Sequence, residues 1–111
     1  MAFDPTGFSI SISDREGRAV VVIRGELDLA TAPDLEAAIQ GPLDDGRDVV
    51  VDLRELDFMD STGLRVLVAA HARVEGTEQR FLIVRPLPGA AIERILAVAG
   101  VEQVLDVVDD A

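Results

Sequence analysis

Cysteine and lysine are both absent from this sequence of 111 residues. Without cysteine the chain has no disulfide, no thiolate nucleophile and no thiolate zinc site, which is compatible with a reducing cytoplasm. Without lysine there is no Schiff-base chemistry and no catalytic lysine, since every cationic side chain is an arginine. These two absences exclude redox chemistry at cysteine and lysine-dependent catalysis.

Positive charge is also scarce, because 10 cationic residues face 21 acidic ones and the formal net charge is -11. Such a chain has no basic face for a phosphate backbone, so we expect no nucleic-acid partner and favour a partner with a basic patch. The amino terminus has no basic segment followed by an apolar stretch, and no apolar run is long enough to span a bilayer. We therefore expect a cytoplasmic protein without a membrane partner.

The residues that are present indicate one α/β domain over residues 1–111, since 49% of them are hydrophobic and 28% are charged. Alternating or β-branched segments predict strands, and segments of helical periodicity predict helices. The predicted strands are 8–13, 18–27, 47–53, 80–86 and 102–108, and the predicted helices are 28–39, 61–75 and 89–100. This order predicts a mixed, mostly parallel β-sheet with packed α-helices and an antiparallel amino-terminal strand.

Helix ends are predicted from local signals. Thr31 and Asp34 have the spacing of a capping box, GPLDDG ends that helix, and Gly100 is expected to end the third. Ser61 precedes an amphipathic run and is a good N-cap for the second helix. The residues of this second helix that we expect on its buried side are Leu64, Leu67, Val68 and His71, with Val74 close by.

Ser61 also follows a central strand, at the rim of an α/β sheet where ligands collect. Gly63 weakens a first helical turn relative to alanine, so it indicates either a close backbone approach or a turn that needs a small residue. Ser61 is not expected to be a catalytic nucleophile. The only histidine, His71, is ten residues further along the same helix, about 15 Å away.

The carboxylates Asp52, Asp57 and Asp60 are interpreted as a solvated acidic rim, with a magnesium site as the alternative. A receiver-type phosphoacceptor aspartate is not expected, because that chemistry also uses a lysine. We therefore expect no enzyme, no cofactor and no resident metal. A metal-dependent enzyme acting at this rim on small phosphorylated substrates is the alternative.

Two segments together resemble the STAS domain, and specifically the bacterial anti-sigma factor antagonists. They are GELDLATAPDL, Gly25 to Leu35, and VVVDLRELDFMDSTGL, Val49 to Leu64. The resemblance implies that Ser61 is phosphorylated by a cognate anti-sigma factor that is also a serine protein kinase. It implies that the unphosphorylated form binds this factor and releases the sigma factor, and that a serine phosphatase resets the switch.

By the same resemblance, a partner-binding patch is expected at Asp28, Asp60, Ser61, Thr62 and Gly63. STAS domains usually continue past the last strand into a short helix, which we expect to be missing or reduced after DVVDDA. The family also includes transporter ATPase subunits and stressosome-type scaffolds, in which Ser61 would be only a helix cap.

A phosphate on Ser61 would lie at a helix amino terminus, where free N–H groups and the helix dipole tolerate a dianion. We therefore expect the domain to stay folded when it is phosphorylated. The chain has neither G-x-x-x-x-G-K-[ST] nor G-x-G-x-x-G, so the ATP is expected to come with the kinase.

Overall fold

A computed structural model describes residues 7–110, so residues 1–6 and 111 of the expected domain lie outside the described part. The elements follow one another along the chain as β1 (Ser9–Arg15), β2 (Arg18–Leu27), α1 (Ala32–Asp44), β3 (Val49–Asp52), β4 (Leu56–Met59), α2 (Ser61–Val74), β5 (Phe81–Val84), α3 (Ala91–Val98), α4 (Val101–Val104) and β6 (Asp106–Val108). The predicted α/β class is confirmed.

The sheet has the order β1-β2-β3-β5-β6, and β4 pairs with the end of β2. β1 is antiparallel to β2, as predicted, and the other pairs are parallel. From β2 to β6 the strands follow chain order, so right-handed crossovers place α1, α2 and α3 on one face. The main core lies between these helices and the sheet, and it includes Val21, Val51 and Ile83.

β4 was not predicted, because LDFM is short and directly follows a turn. It forms because β2 is long enough to pair with β3 through one half and with β4 through its end. A bulge between Gly25 and Glu26 shifts the register between the two pairings. Gly25 has φ 92°, and a Cβ there would lie 2.9 Å from the Gly7 carbonyl oxygen. Only glycine fits both the backbone conformation and this close approach.

α1 ends within GPLDDG, as predicted, although it continues past Pro42 to Asp44. The predicted capping box is wrong, because Thr31 is the N-cap residue but its side chain makes no cap hydrogen bond. Its hydroxyl is instead used in the preceding loop, where it donates to the Glu26 carbonyl and accepts from the Asp28 amide. The Thr31 side chain therefore stabilises the loop and does not cap the helix, although its spacing from Asp34 predicted a cap.

The carboxyl-terminal region differs in part from the prediction of one strand over 102–108. Residues Val101–Val104 form the single turn α4, and only Asp106–Val108 pairs with β5. Gly100 has the left-handed conformation, with φ 69°, and follows the end of α3. Its predicted role in ending that helix is confirmed.

The span of α2 is confirmed to within one residue, and its buried side is predicted correctly in part, since Leu67 is buried and Leu64 packs against the core. The buried residues of α2 are Gly63, Leu67, Ala70 and Val74. Val68 was predicted to be buried and is 37% exposed, so this prediction is wrong. The buried stripe passes through Gly63 in the first turn and leaves Val68 at the surface.

Candidate functional site

The candidate site lies where β2 and β4 end side by side. Leu27 and Met59 are partners in the parallel ladder, and the Asp60 amide donates a hydrogen bond to the Leu27 carbonyl at 3.0 Å. Neighbouring strands are about 4.8 Å apart, so the loops that follow them share one edge of the sheet. Asp28 follows β2 and Asp60 follows β4, directly before α2. The structure thus brings the predicted site residues to a single edge.

Asp60, rather than Ser61, is the N-cap of α2, so the prediction that Ser61 caps this helix is wrong. One carboxylate oxygen of Asp60 accepts from the Thr62 amide at 2.8 Å and from the Gly63 amide at 3.3 Å. The Asp60 carbonyl accepts from the Leu64 amide at 3.2 Å. Aspartate caps a helix as well as serine does, and the ladder bond to Leu27 holds Asp60 in the extended conformation of a cap.

Ser61 is therefore the first residue of α2, and it is exposed. Among the residues that the structure describes, its hydroxyl has no hydrogen-bond partner. Thr62 beside it is half-buried. The Ser61 hydroxyl is free to meet another protein, because the helix start is held without it.

Asp28 is half-buried and organises the loop between β2 and α1. One of its carboxylate oxygens accepts from the amides of Ala30 and Thr31, at 3.0 and 3.2 Å, and lies 3.2 Å from the Thr31 hydroxyl. The sequence implied a position for Asp28 only through the family resemblance. In the structure Asp28 shapes the loop that flanks the start of α2.

Gly63 is buried, and the structure supports the second of its two interpretations, a strand-to-helix turn that needs a small residue. A Cβ at this position would lie 2.6 Å from Leu27 side-chain atoms and 2.9 Å from Cγ of Met59. Real Cβ atoms do not approach other atoms so closely, so only glycine lets α2 sit against the ends of both strands. Gly63 therefore positions Ser61 and has no side chain to offer a partner.

A shallow groove of about 430 Å³ runs from Ser61 along the exposed side of α2. Its lining residues are Ser61, Leu64, Arg65, Val68, Ala69 and Ala72. The sequence prediction missed this surface because it placed Val68 in the core. The spacing of Ser61, Arg65, Val68 and Ala72 on one side of a helix is the signal that could have indicated it.

Two large apolar side chains are also exposed on the elements that form this edge. Leu29 in the loop after β2 is 75% exposed, and Phe58 of β4 is 41% exposed. An exposed apolar side chain at the rim of a site is available to a protein partner. Sequence patterns indicated neither residue, because exposure at a strand end depends on which elements pack over it.

The acidic residues at the rim differ in their surroundings. Asp57 is exposed, Asp60 is used as a cap, and Asp52 is buried on the sheet face opposite the helices. Within residues 7–110, no group of three or more His, Asp or Glu side chains is arranged to hold a metal ion. The magnesium alternative therefore gains no support from the geometry of these carboxylates.

Asp52 is paired with Arg54 through side-chain hydrogen bonds of 2.7 to 3.2 Å, and it also accepts from the Arg54 amide at 3.0 Å. Burial raises the pKa of Asp52, but the hydrogen bonds and the charge of Arg54 outweigh that effect and hold the pKa below its ordinary value. Asp52 therefore remains ionised and serves the fold.

His71 lies near the end of α2, half-buried, with Nε2 3.7 Å from a carboxylate oxygen of Glu75. It lies nearly three turns beyond Ser61, so the arrangement does not form a serine–histidine pair. None of the described helices is both long and apolar enough to cross a membrane.

Comparisons with known proteins agree with this architecture. The sequence profile of a family described as "Mlab, STAS domain" matches residues 10–108. The anti-sigma-F factor antagonist RsfB of Mycobacterium tuberculosis is 36% identical over 81 residues, which cover 72% of this chain and 66% of RsfB. The chain thus spans slightly less than two thirds of that relative. An anti-sigma-B factor antagonist of Staphylococcus aureus is 31% identical over 88 residues, 78% of this chain and 80% of that protein.

A solved structure of an anti-sigma factor antagonist has a fold similar to that of this chain. The crystal structure of an anti-sigma factor antagonist from Mycobacterium paratuberculosis has a TM-score of 0.82 and 28% sequence identity to this chain. The match covers 96% of this chain and 90% of the other.

Proposed function

Because this chain belongs to the STAS domain family, we propose that it is an anti-sigma factor antagonist whose binding is switched by phosphorylation of Ser61. The unphosphorylated form binds a cognate anti-sigma factor, which is also a serine protein kinase, and the sigma factor is released. Phosphorylation of Ser61 by this kinase ends the binding. A serine phosphatase restores the binding form.

The observation that carries this proposal is the division of roles between Asp60 and Ser61. Asp60 caps α2, while the Ser61 hydroxyl is exposed and unused in the fold. A kinase can therefore reach the hydroxyl without unfolding the helix. The names of the relatives support the role as antagonist, and the exposed serine supports the switch.

The surface around Ser61 is suited to a protein partner. Leu29, Phe58 and Val68 supply exposed apolar area. Asp28 and Gly63 hold the flanking loop and the helix in place, and Thr62 lies beside the serine. The net charge of -11 favours a partner whose docking surface is basic.

Phosphorylation acts on this surface through charge and bulk. A phosphate adds about -1.5 to -2 charges at pH 7, next to the carboxylates of Asp28, Asp57 and Asp60. An interface that fits a bare hydroxyl must then desolvate a dianion and accommodate its volume. A penalty of about 2 to 4 kcal/mol weakens binding by roughly 30- to 1000-fold, enough to end the complex.

A kinase assay tests the site. The purified chain, the anti-sigma factor, ATP and Mg²⁺ are mixed, and phosphorylation is mapped by mass spectrometry. We expect one phosphate on the chain, its loss in Ser61→Ala and its retention in the matched variant Thr62→Val. Unchanged phosphorylation of Ser61→Ala, or its loss only in Thr62→Val, contradicts the assignment of Ser61.

Capture of partners from a native lysate separates this proposal from the other roles that the family resemblance implies. We expect an anti-sigma factor to bind the wild-type chain and not Ser61→Asp. Capture of a transporter ATPase or a stressosome-type assembly, equally by both forms, would show that Ser61 is not a switch.

A further inference from the structure

We propose that the guanidinium of Arg65 binds the phosphate of phosphorylated Ser61, as an ion pair within α2. This inference rests on the proposed function, since it concerns the phosphorylated state. Arg65 would then stabilise the phosphorylated form, which does not bind the anti-sigma factor.

Geometry places the two residues together. Ser61 and Arg65 are four residues apart on α2 and line the same groove. Side chains at this spacing are neighbours on a helix surface, with Cβ atoms about 5 to 6 Å apart. Arginine is well suited to the contact, because its planar group can donate two parallel hydrogen bonds to phosphate oxygens.

Arg65 is also available for this contact. Among the described residues it has neither an ion pair nor a side-chain hydrogen bond. Arg73, the other arginine of α2, forms contacts with α1. It donates to the Gln40 side-chain oxygen, and its Nη2 lies 2.6 Å from an Asp44 carboxylate oxygen. Arg65 is the cationic residue that lines the groove at Ser61.

The start of α2 offers a phosphate on Ser61 few free amide donors and places it beside a carboxylate. The Thr62 and Gly63 amides donate to the Asp60 carboxylate, and the Leu64 amide donates to the Asp60 carbonyl. The Thr62 and Gly63 amides are two of the donors that a phosphate at a helix start would otherwise use, whereas the Leu64 bond is an ordinary intrahelical one. The Asp60 carboxylate also repels a second anion. A charge-assisted bond from Arg65 compensates for both effects.

Titration of the phosphate by ³¹P NMR tests the ion pair. Phosphoserine is incorporated at position 61 during translation, in wild-type, Arg65→Ala, Arg65→Lys and Arg80→Ala backgrounds. Arg80 is a matched control, because it is exposed and precedes β5, at the opposite edge of the parallel sheet. The nearby acidic groups, Asp28, Asp57 and Asp60, are the same in all four proteins.

We expect Arg65→Ala to raise the second pKa of the phosphate by about 0.3 to 0.5 pH units, because the dianion loses its cation. Arg65→Lys restores part of the difference, Arg80→Ala causes none, and about 1 M salt reduces it. Equal titration of the wild-type and Arg65→Ala proteins, or an equal shift in Arg80→Ala, overturns the proposal. The titration needs neither kinase nor anti-sigma factor, so its failure is distinguishable from failure of the proposed function.

Discussion

At the scale of single residues, Asp60 and Ser61 have separate tasks although they are adjacent. Asp60 supplies the helix cap, and Ser61 supplies an exposed hydroxyl. The sequence identified the right segment but assigned the cap to the wrong residue. Both residue types are good caps, and the choice depends on a ladder hydrogen bond from Asp60 to Leu27 that local sequence does not show.

This division predicts unequal effects of two substitutions on the free energy of unfolding. Asp60→Ala leaves the Thr62 and Gly63 amides without their acceptor, so we expect the free energy of unfolding to fall by about 1 kcal/mol. Ser61→Ala removes an exposed hydroxyl without a partner in the described structure, so we expect a change of less than about 0.5 kcal/mol. Urea unfolding followed by circular dichroism measures both. A larger loss for Ser61→Ala would show that the serine is the cap.

Gly63 gives a second prediction at this scale. A Cβ at Gly63 overlaps Leu27 and Met59, so we expect Gly63→Ala to lower the free energy of unfolding by about 1 to 3 kcal/mol. The matched control is Gly41→Ala in α1, where a Cβ meets no atom within 4 Å. This control should raise stability by about 0.4 to 1 kcal/mol. Equal effects in urea unfolding would contradict the close contact.

At the scale of elements, the long and strongly patterned segments were predicted well. β2 and α2 match their predicted spans closely, because each has a periodic run with clear end signals. β4 and α4 were not predicted. β4 is a strand because it pairs with β2, and α4 is a single turn. Both depend on tertiary contacts, which a short stretch of sequence does not reveal.

The connection between β3 and β4 contains the Asp52–Arg54 pair, which gives a pH-dependent prediction. The Asp52 side chain is 8% exposed and that of Arg54 is 36% exposed. Arg54→Ala leaves Asp52 buried without its cation, so we expect a loss of about 1 to 3 kcal/mol at pH 7, reduced by the exposure of Arg54. Arg94→Ala, an exposed position on α3, is the control and should change stability little.

The sign of the pH dependence follows from the lowered pKa of Asp52. The stability from this carboxylate is present above its unfolded pKa of about 3.9 and is lost as the pH falls through the folded pKa. The difference between wild type and Arg54→Ala should therefore narrow as the pH falls below about 3.9. Urea unfolding between pH 7 and pH 3 measures this difference. A difference independent of pH would contradict a role for the ionised Asp52.

At the scale of the whole molecule, the net charge of -11 and the apolar edge at Ser61 suit different parts of one binding event. In the proposed complex, the charge attracts a basic partner over distance and the apolar residues contact it. We expect the association rate constant with the anti-sigma factor to fall about 10-fold or more between low and high salt, with a smaller change in the dissociation rate constant. Stopped-flow kinetics at several salt concentrations measures both. An association rate independent of salt would contradict electrostatic attraction.

The general architecture was accessible from the sequence, and so was the grouping of the candidate site residues at one edge. The alternation of strands and helices predicted the parallel sheet, and the paired GELD and DSTGL segments pointed to one edge of it. The groove on α2 and the exposure of Arg65 within it were not accessible, because they depend on which side of α2 is buried. That side is set by the contact of Gly63 with Leu27, a contact between distant parts of the chain.

Isothermal titration calorimetry tests the switch directly, by measuring the affinity of the cognate anti-sigma factor for the chain with and without phosphate on Ser61. Ser61→Ala serves as a form that cannot be phosphorylated and should bind like the unmodified wild type. We predict that phosphorylation of Ser61 weakens binding by roughly 30- to 1000-fold. Equal affinity of the unmodified and phosphorylated forms would contradict the account.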